Sequence, residues 1–122
     1  MLGLSFKAGT DDLRESPQVQ LIKRLLGEGC QIRIWDRDVS MGRLVGSNRQ
    51  FIEEVIPHIG SLLAGSLEEV VKAAEVVIVG TTSIDNEALA AILRPEQFVI
   101  DLVNLRKLRR PEGLPLYQGM CW

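Results

Sequence analysis

Apolar residues change their spacing several times along this chain of 122 residues, and each change predicts an element. Leu2 and Leu4 suit a short buried strand. A polar loop follows, after which Ser16 offers an N-cap and Pro17 takes the first helical position, where a missing N–H costs nothing. Val19, Ile22, Leu25 and Leu26 recur at helical spacing while Gln18, Gln20, Lys23 and Arg24 take the other side. Gly27 and Gly29 stop that helix. Residues 31–35 alternate, with Ile32 and Ile34 on one face and Arg33 and Trp35 on the other, and predict a second strand that Asp36 ends. Strand, capped helix and strand make a βαβ unit, whose right-handed crossover brings both strand ends to one side.

Residues 39–48, which include Gly42, Gly46 and Ser47, read as loop, or as loop with a turn of helix. Phe51, Ile52, Val55, Ile56 and Ile59 form a helical stripe that Pro57 should end or kink, because proline lacks the N–H the helix needs. Ser66-Leu67-Glu68-Glu69 is a capping box opening a short helix through Val70, Val71 and Ala74. Residues 76–79 are continuously apolar, as in a strand covered on both faces. A small-residue loop, a helix over 87–93 stopped by Pro95, a strand over 98–102 and a last short strand at Leu116-Tyr117 complete the pattern. Alternating strands and helices predict an α/β fold: a Rossmann-like, doubly wound parallel sheet in a single domain over 1–122, with its crevice at the carboxyl ends of the strands.

Composition narrows what that crevice can do. A hydrophobic share of 46%, a charged share of 25% and a net charge of -2 describe an ordinary soluble chain. They argue against a nucleic-acid or membrane partner, so any anion must be held by a local basic site. The apolar runs are too short for a membrane span, and no basic-then-apolar leader precedes them, so a cytoplasmic location is expected. Met1 begins directly on the first strand, and the chain reads like a domain cut from something longer. Cys30 and Cys121 lie far apart in no metal spacing and are expected to be reduced thiols.

The candidate chemistry gathers in the loop between the first strand and the first helix. Lys7 and Arg14 bracket it with positive charge, Gly9 allows close backbone approach, and the helix beyond offers free amides. It is not a Walker loop, for no Gly-Lys-Ser/Thr closes it, nor a dinucleotide GxGxxG, for Gly3 and Gly9 are wrongly spaced. Lys7 is read as reaching a diphosphate or sugar oxygen, against a plain solvated lysine. Phe6 is read either as packing on a base or sugar, or as core. Arg14 has a fork suited to phosphate, against an ion pair with Asp11, Asp12 or Glu15. Thr10, Asp11 and Asp12 are expected to order the loop rather than bind metal. Asp36 stands where a dinucleotide fold holds a ribose, yet without the glycine fingerprint a loop-ordering role is favoured. His58 reads as a surface histidine and the basic run from Arg106 to Arg110 as a solvated turn.

The string Gly3-Leu4-x-Phe6-Lys7-x-x-Thr10-Asp11-Asp12-x-Arg14-x-Ser16-Pro17 resembles the opening of the C-terminal domain of the UDP-glucose/GDP-mannose dehydrogenases. The likeness runs on through Phe51-Ile52-Glu53-Glu54 and Ala74-Glu75-Val76-Val77-Ile78-Val79 to Val99-Ile100-Asp101. It implies a nucleotide-sugar-binding domain of an enzyme that oxidises a sugar 6-hydroxyl to a carboxylate with two NAD, through a cysteine that lies outside this chain. It further implies that Phe6 and Lys7 contact the nucleotide sugar, that Arg14 reaches the NAD side, and that the parent enzyme is a homodimer or higher. The UDP-glucose branch tends to carry an arginine where Val103 stands, which favours GDP-mannose as the sugar nucleotide. The isolated chain is expected to be inactive. The rival readings are a domain of the UDP-glucose branch of the family and a stand-alone nucleotide-binding regulatory module.

Overall fold

The computed structural model describes residues 1–5, 7, 9–105 and 116–120. Its elements are α1 (Pro17–Gly27), α2 (Gly46–Val55), α3 (Ile59–Leu62), α4 (Leu67–Ala73), β1 (Val76–Val79), α5 (Asn86–Ile92), β2 (Phe98–Asp101) and β3 (Leu116–Gly119). The three strands pair in parallel in the order β1-β2-β3, with Val76 opposite Phe98 and Phe98 opposite Leu116.

The strands expected at Leu2–Leu4 and at 31–35 are shorter than the sequence suggests. Each is reduced to bridge positions: Leu2 bridges Trp35 on one side and Val79 on the other, and Ile34 bridges Leu63. The first is cut short because Gly3 turns away with φ 90. The second ends where the carboxylate of Asp36 takes backbone N–H groups instead of leaving them to a neighbour. The ladder is continuous all the same. Leu2 N donates to Ile78 O at 2.8 Å, Gly80 N to Leu2 O at 2.7 Å, Gly3 N to Trp35 O at 2.8 Å and Ile34 N to Leu62 O at 2.8 Å. Across the sheet the order is therefore Leu63, Ile34-Trp35, Leu2, β1, β2, β3. Numbered along the chain this is 3-2-1-4-5-6, the doubly wound order whose direction reverses between Leu2 and β1. The bridge at Leu63 goes unseen in the sequence.

Two apolar clusters cover the two faces. Val19 and Ile22 of α1, Ile52 of α2 and Ile59 of α3 pack with Leu4 and Ile34. Val70 and Val71 of α4 and Leu89 of α5 pack with Leu2, Val77, Val79 and Val99. Along β1 the side chains alternate accordingly, Ile78 joining the first cluster and Val77 and Val79 the second.

The helix boundaries follow local chemistry. Ser16 accepts from Val19 N and Pro17 opens α1. α2 stops at Val55 because Ile56, preceding Pro57, is extended at φ -134 and ψ 86. It starts earlier than the stripe implies, at Gly46, inside the stretch read as loop. Ser66 caps α4 through Glu69 N at 3.1 Å, and Asp85 caps α5 through Glu87 N and Ala88 N. The C-terminal end of α4 is closed from a distance: Gln97, 1% exposed, donates to Val71 O at 2.6 Å and Ala74 O at 2.8 Å. Arg94 adds bonds to Lys72 O and Ala74 O, so carbonyls a helix end leaves orphaned find partners.

Candidate functional site

The reversal of strand order brings together the loop after Leu2 and the loop after β1, and these two fit closely. A Cβ on Gly3 would lie 2.5 Å from Thr81 Cβ, so only glycine lets the two segments approach. Gln18, on the first turn of α1, donates to Gly80 O at 2.9 Å. The Ser16 hydroxyl, 1% exposed, donates to Leu4 O at 2.7 Å. Helix start, first loop and second loop are thus tied into one wall.

The first loop is held mainly by carboxylates and hydroxyls that take its backbone amides. Asp36 Oδ2 accepts from Leu4 N at 2.6 Å and Ser5 N at 3.2 Å, while Oδ1 accepts from Asp38 N at 2.8 Å and Val39 N at 3.1 Å. One side chain therefore staples the loop after Leu2 to the loop after Trp35, which is the loop-ordering role anticipated for it. Asp38 extends the staple to Gly9 N at 3.2 Å. Thr10 Oγ1 accepts from Asp12 N and Asp12 Oδ1 from Arg14 N, so Thr10 and Asp12 order the chain as local turns. Glu15 then passes through the left-handed region at φ 58 before Ser16 caps the helix.

On this frame Lys7 is exposed, and its ammonium has no partner among the described residues. Its carbonyl, by contrast, is anchored by Ser5 Oγ at 3.1 Å and Thr10 N at 3.3 Å. The backbone under the cation is fixed while the cation faces solvent. Arg14 sits differently: its Nε and Nη2 both lie 3.1 Å from the carboxylate oxygens of Asp12. The fork hydrogen bonds of Arg14 hold the Asp12 carboxyl below its usual range, and Asp12 in turn raises Arg14. Phe6 lies outside the described residues, as do the run from Arg106 to Arg110 and Cys121. His58 and Cys30 are exposed.

The loop after β2 lies at the crevice edge, as the strand expected over 98–102 implies, but the anchoring role of Asp101 escaped the sequence reading. Asp101 is 0% exposed and accepts from Val103 N at 2.8 Å, Leu105 N at 2.7 Å and the Tyr117 hydroxyl at 2.5 Å. Its partner Tyr117 comes from β3, so only the folded sheet reveals the bond. Val103, singled out for its type, packs with the α4/α5 cluster. Asn104 takes the left-handed region at φ 57, and its Oδ1 is buried without a hydrogen-bond partner.

A dinucleotide does not fit the reversal point in the manner of a Rossmann cofactor site. Thr81 fills the space over Gly3, and the carboxylate that would take a ribose hydroxyl already accepts four amides. What the loop offers is one outward cation on an anchored backbone, with the arginine taken up by Asp12, an arrangement suited to a single anionic group.

Residues 1–107 match the model of the UDP-glucose/GDP-mannose dehydrogenase family, UDP binding domain. The whole chain aligns at 43% identity with a GDP-mannose 6-dehydrogenase of Pseudomonas putida and covers 28% of that protein. A UDP-glucose 6-dehydrogenase of Rickettsia bellii is 29% identical over 93% of the chain. A 1.55 Å crystal structure of a ternary complex of GDP-mannose dehydrogenase from Pseudomonas aeruginosa superposes at a TM-score of 0.77, with 41% identity over 99% of the chain and 27% of that protein. The chain thus spans little more than a quarter of the relatives it matches. Motif, strand order and whole-chain similarity agree: the chain belongs to the UDP-glucose/GDP-mannose dehydrogenase family.

Proposed function

We propose that this chain is the nucleotide-sugar-binding portion of a GDP-mannose 6-dehydrogenase, with Lys7 as the contact that holds the sugar nucleotide. The observation that carries the reading is the loop itself: a backbone pinned by Asp36, Ser5 and Thr10 beneath a lysine ammonium with no partner among the described residues. An ammonium so positioned matches a diphosphate or sugar oxygen. The choice of GDP-mannose over UDP-glucose rests on 43% identity to one kind of relative against 29% to the other.

In this reading the chain supplies binding and orientation. The catalytic cysteine and most of the NAD site belong to the parent enzyme, and NAD supplies the hydride acceptor. Arg14 reaches the NAD side once it leaves or shares Asp12. The parent works as a homodimer or larger assembly in the cytoplasm and feeds alginate synthesis. Among the described residues no helix is long and apolar enough to cross a membrane.

The test is Lys7→Glu in the intact dehydrogenase. At limiting GDP-mannose, kcat/KM should fall by roughly tenfold to a hundredfold, the worth of one charge-assisted contact and its reversal. Unchanged kcat/KM would remove Lys7 from the site. A preference for UDP-glucose over GDP-mannose in the unmodified enzyme would overturn the substrate assignment while leaving Lys7 in place.

A further inference from the structure

A second concavity opens beyond the bridge positions Ile34-Trp35 and Leu63, on the carboxyl side of the sheet. It has a volume of about 270 Å³ and is lined by residues 35–37, Val39, Ser40, Arg43 and the Ala64-Gly65 segment. Neither Lys7 nor Arg14 lines it. The charge balance is one-sided. The ion pairs among the described residues involve Arg14, Arg33, Arg49 and Arg94, which leaves Arg37 and Arg43 without carboxylate partners there. Asp36 brings the opposite charge, but its two oxygens accept four backbone amides, so its lone pairs are turned into the loops.

The place within the fold matters as much as the charge. In a sheet of this strand order, the end of the second strand is where a ribose and its 2′-substituent come to rest, with an arginine nearby when that substituent is a phosphate. Here the ribose-binding carboxylate is occupied, while Arg37 directly follows it and Arg43 lines the same cavity. Two guanidinium groups over a concave floor bordered by a tryptophan suit a compact, doubly charged oxyanion, which planar forks grip in pairs of hydrogen bonds.

We propose that this cavity is an anion site, separate from the Lys7 contact, that binds the phosphoryl group of a small molecule through Arg37 and Arg43, with the Ser40 hydroxyl as a third donor. The ligand is either a free phosphate ester or a second portion of the sugar nucleotide, and the test distinguishes these sources. The chain is titrated with inorganic phosphate at constant ionic strength, maintained with chloride, while backbone amide resonances are followed by NMR. Shifts are expected at Ser40, Arg43 and Gly65, surviving Lys7→Ala. Arg37→Gln or Arg43→Gln should weaken the binding roughly tenfold, and Arg43→Lys less, because a point charge replaces a fork.

Both arginines are exposed, so these variants should keep a native spectrum, which the same experiment reads directly. Competition by GDP-mannose for the phosphate shifts assigns the site to the sugar nucleotide. Additive shifts assign it to a separate phosphate ester. The proposal fails if phosphate produces no saturable shifts, if the shifts cluster around Lys7 instead, or if both glutamine variants bind as before.

Discussion

Two loops leave the carboxyl edge of one sheet, each pinned by an aspartate, and they differ in what the aspartate holds. Asp36 reaches across to a neighbouring loop and fixes Leu4, Ser5, Asp38 and Val39 while itself only half-buried. Asp101 holds its own turn and the Tyr117 hydroxyl, and it is fully enclosed. The first arrangement leaves charged side chains facing outward on a stiff backbone; the second closes a corner of the core. The same residue type at the same level of a fold thus makes a stiff base for outward charges in one place and a structural joint in the other.

That contrast can be broken from either side. The largest effect should come from Asp101→Ala, which takes the acceptor from two backbone amides, the Leu105 one fully buried. About 3–5 kcal/mol of unfolding free energy should be lost in urea denaturation. Asp36→Ala should cost less, about 2–3 kcal/mol, because water can reach part of that site. It should also release the Lys7 loop, seen as faster amide exchange at Leu4 and Ser5 with little change around β2.

A third effect belongs to the first loop's own strand. The Met1 amine donates to Arg33 O at 2.8 Å, and burial lowers its pKa from 8.0 to about 6. The folded state thus sheds this proton more readily than the unfolded chain, so the unfolded state binds more protons between those two values. Stability should rise from pH 6 to pH 8, by about 2 kcal/mol once residual solvent exposure is allowed for, and flatten beyond. A chain extended by one residue before Met1 places a peptide N–H there and should lose this dependence. The smallest effect is expected for Arg14→Ala, which should leave the urea midpoint nearly where it was, since its pair with Asp12 is exposed and screened by solvent. The Asp12 carboxyl should then titrate at a higher pH, readable by NMR, because the lowering by Arg14 is gone.

How far these loops could be read from residue order follows the range of their contacts. Ser16 and Pro17 announce α1, and Pro57 announces the end of α2, because caps and proline act within a turn. Lys7 and Arg14 were legible as a charged bracket for the same reason. Whether a bracket stays open is another matter: Arg14 folds back onto Asp12, two residues away, while Lys7 does not. The strands around Leu2 and Ile34 were legible as sheet members but not in length, since Gly3 and Asp36 cut them short through contacts with partners far along the chain. Asp101 and Gln97 were not legible as anchors at all. One depends on Tyr117 and the other on carbonyls of α4, and neither partnership has a local signature.

The narrow attachment at Leu2 carries a mechanical consequence. Two bonds join Leu2 and Gly80 to their neighbours on one flank, two more join Gly3 and Trp35 on the other, and this short rung is the hydrogen-bonded bridge between the halves of the sheet. Each apolar cluster runs across this rung, Ile78 of β1 packing with Leu4 and Ile34 on one face and Trp35 packing with Val77 and Val79 on the other, so the seam is clamped from both faces. The two halves should therefore melt together, with the amides of Leu2, Gly3, Trp35 and Gly80 exchanging no faster than those of β1 and β2.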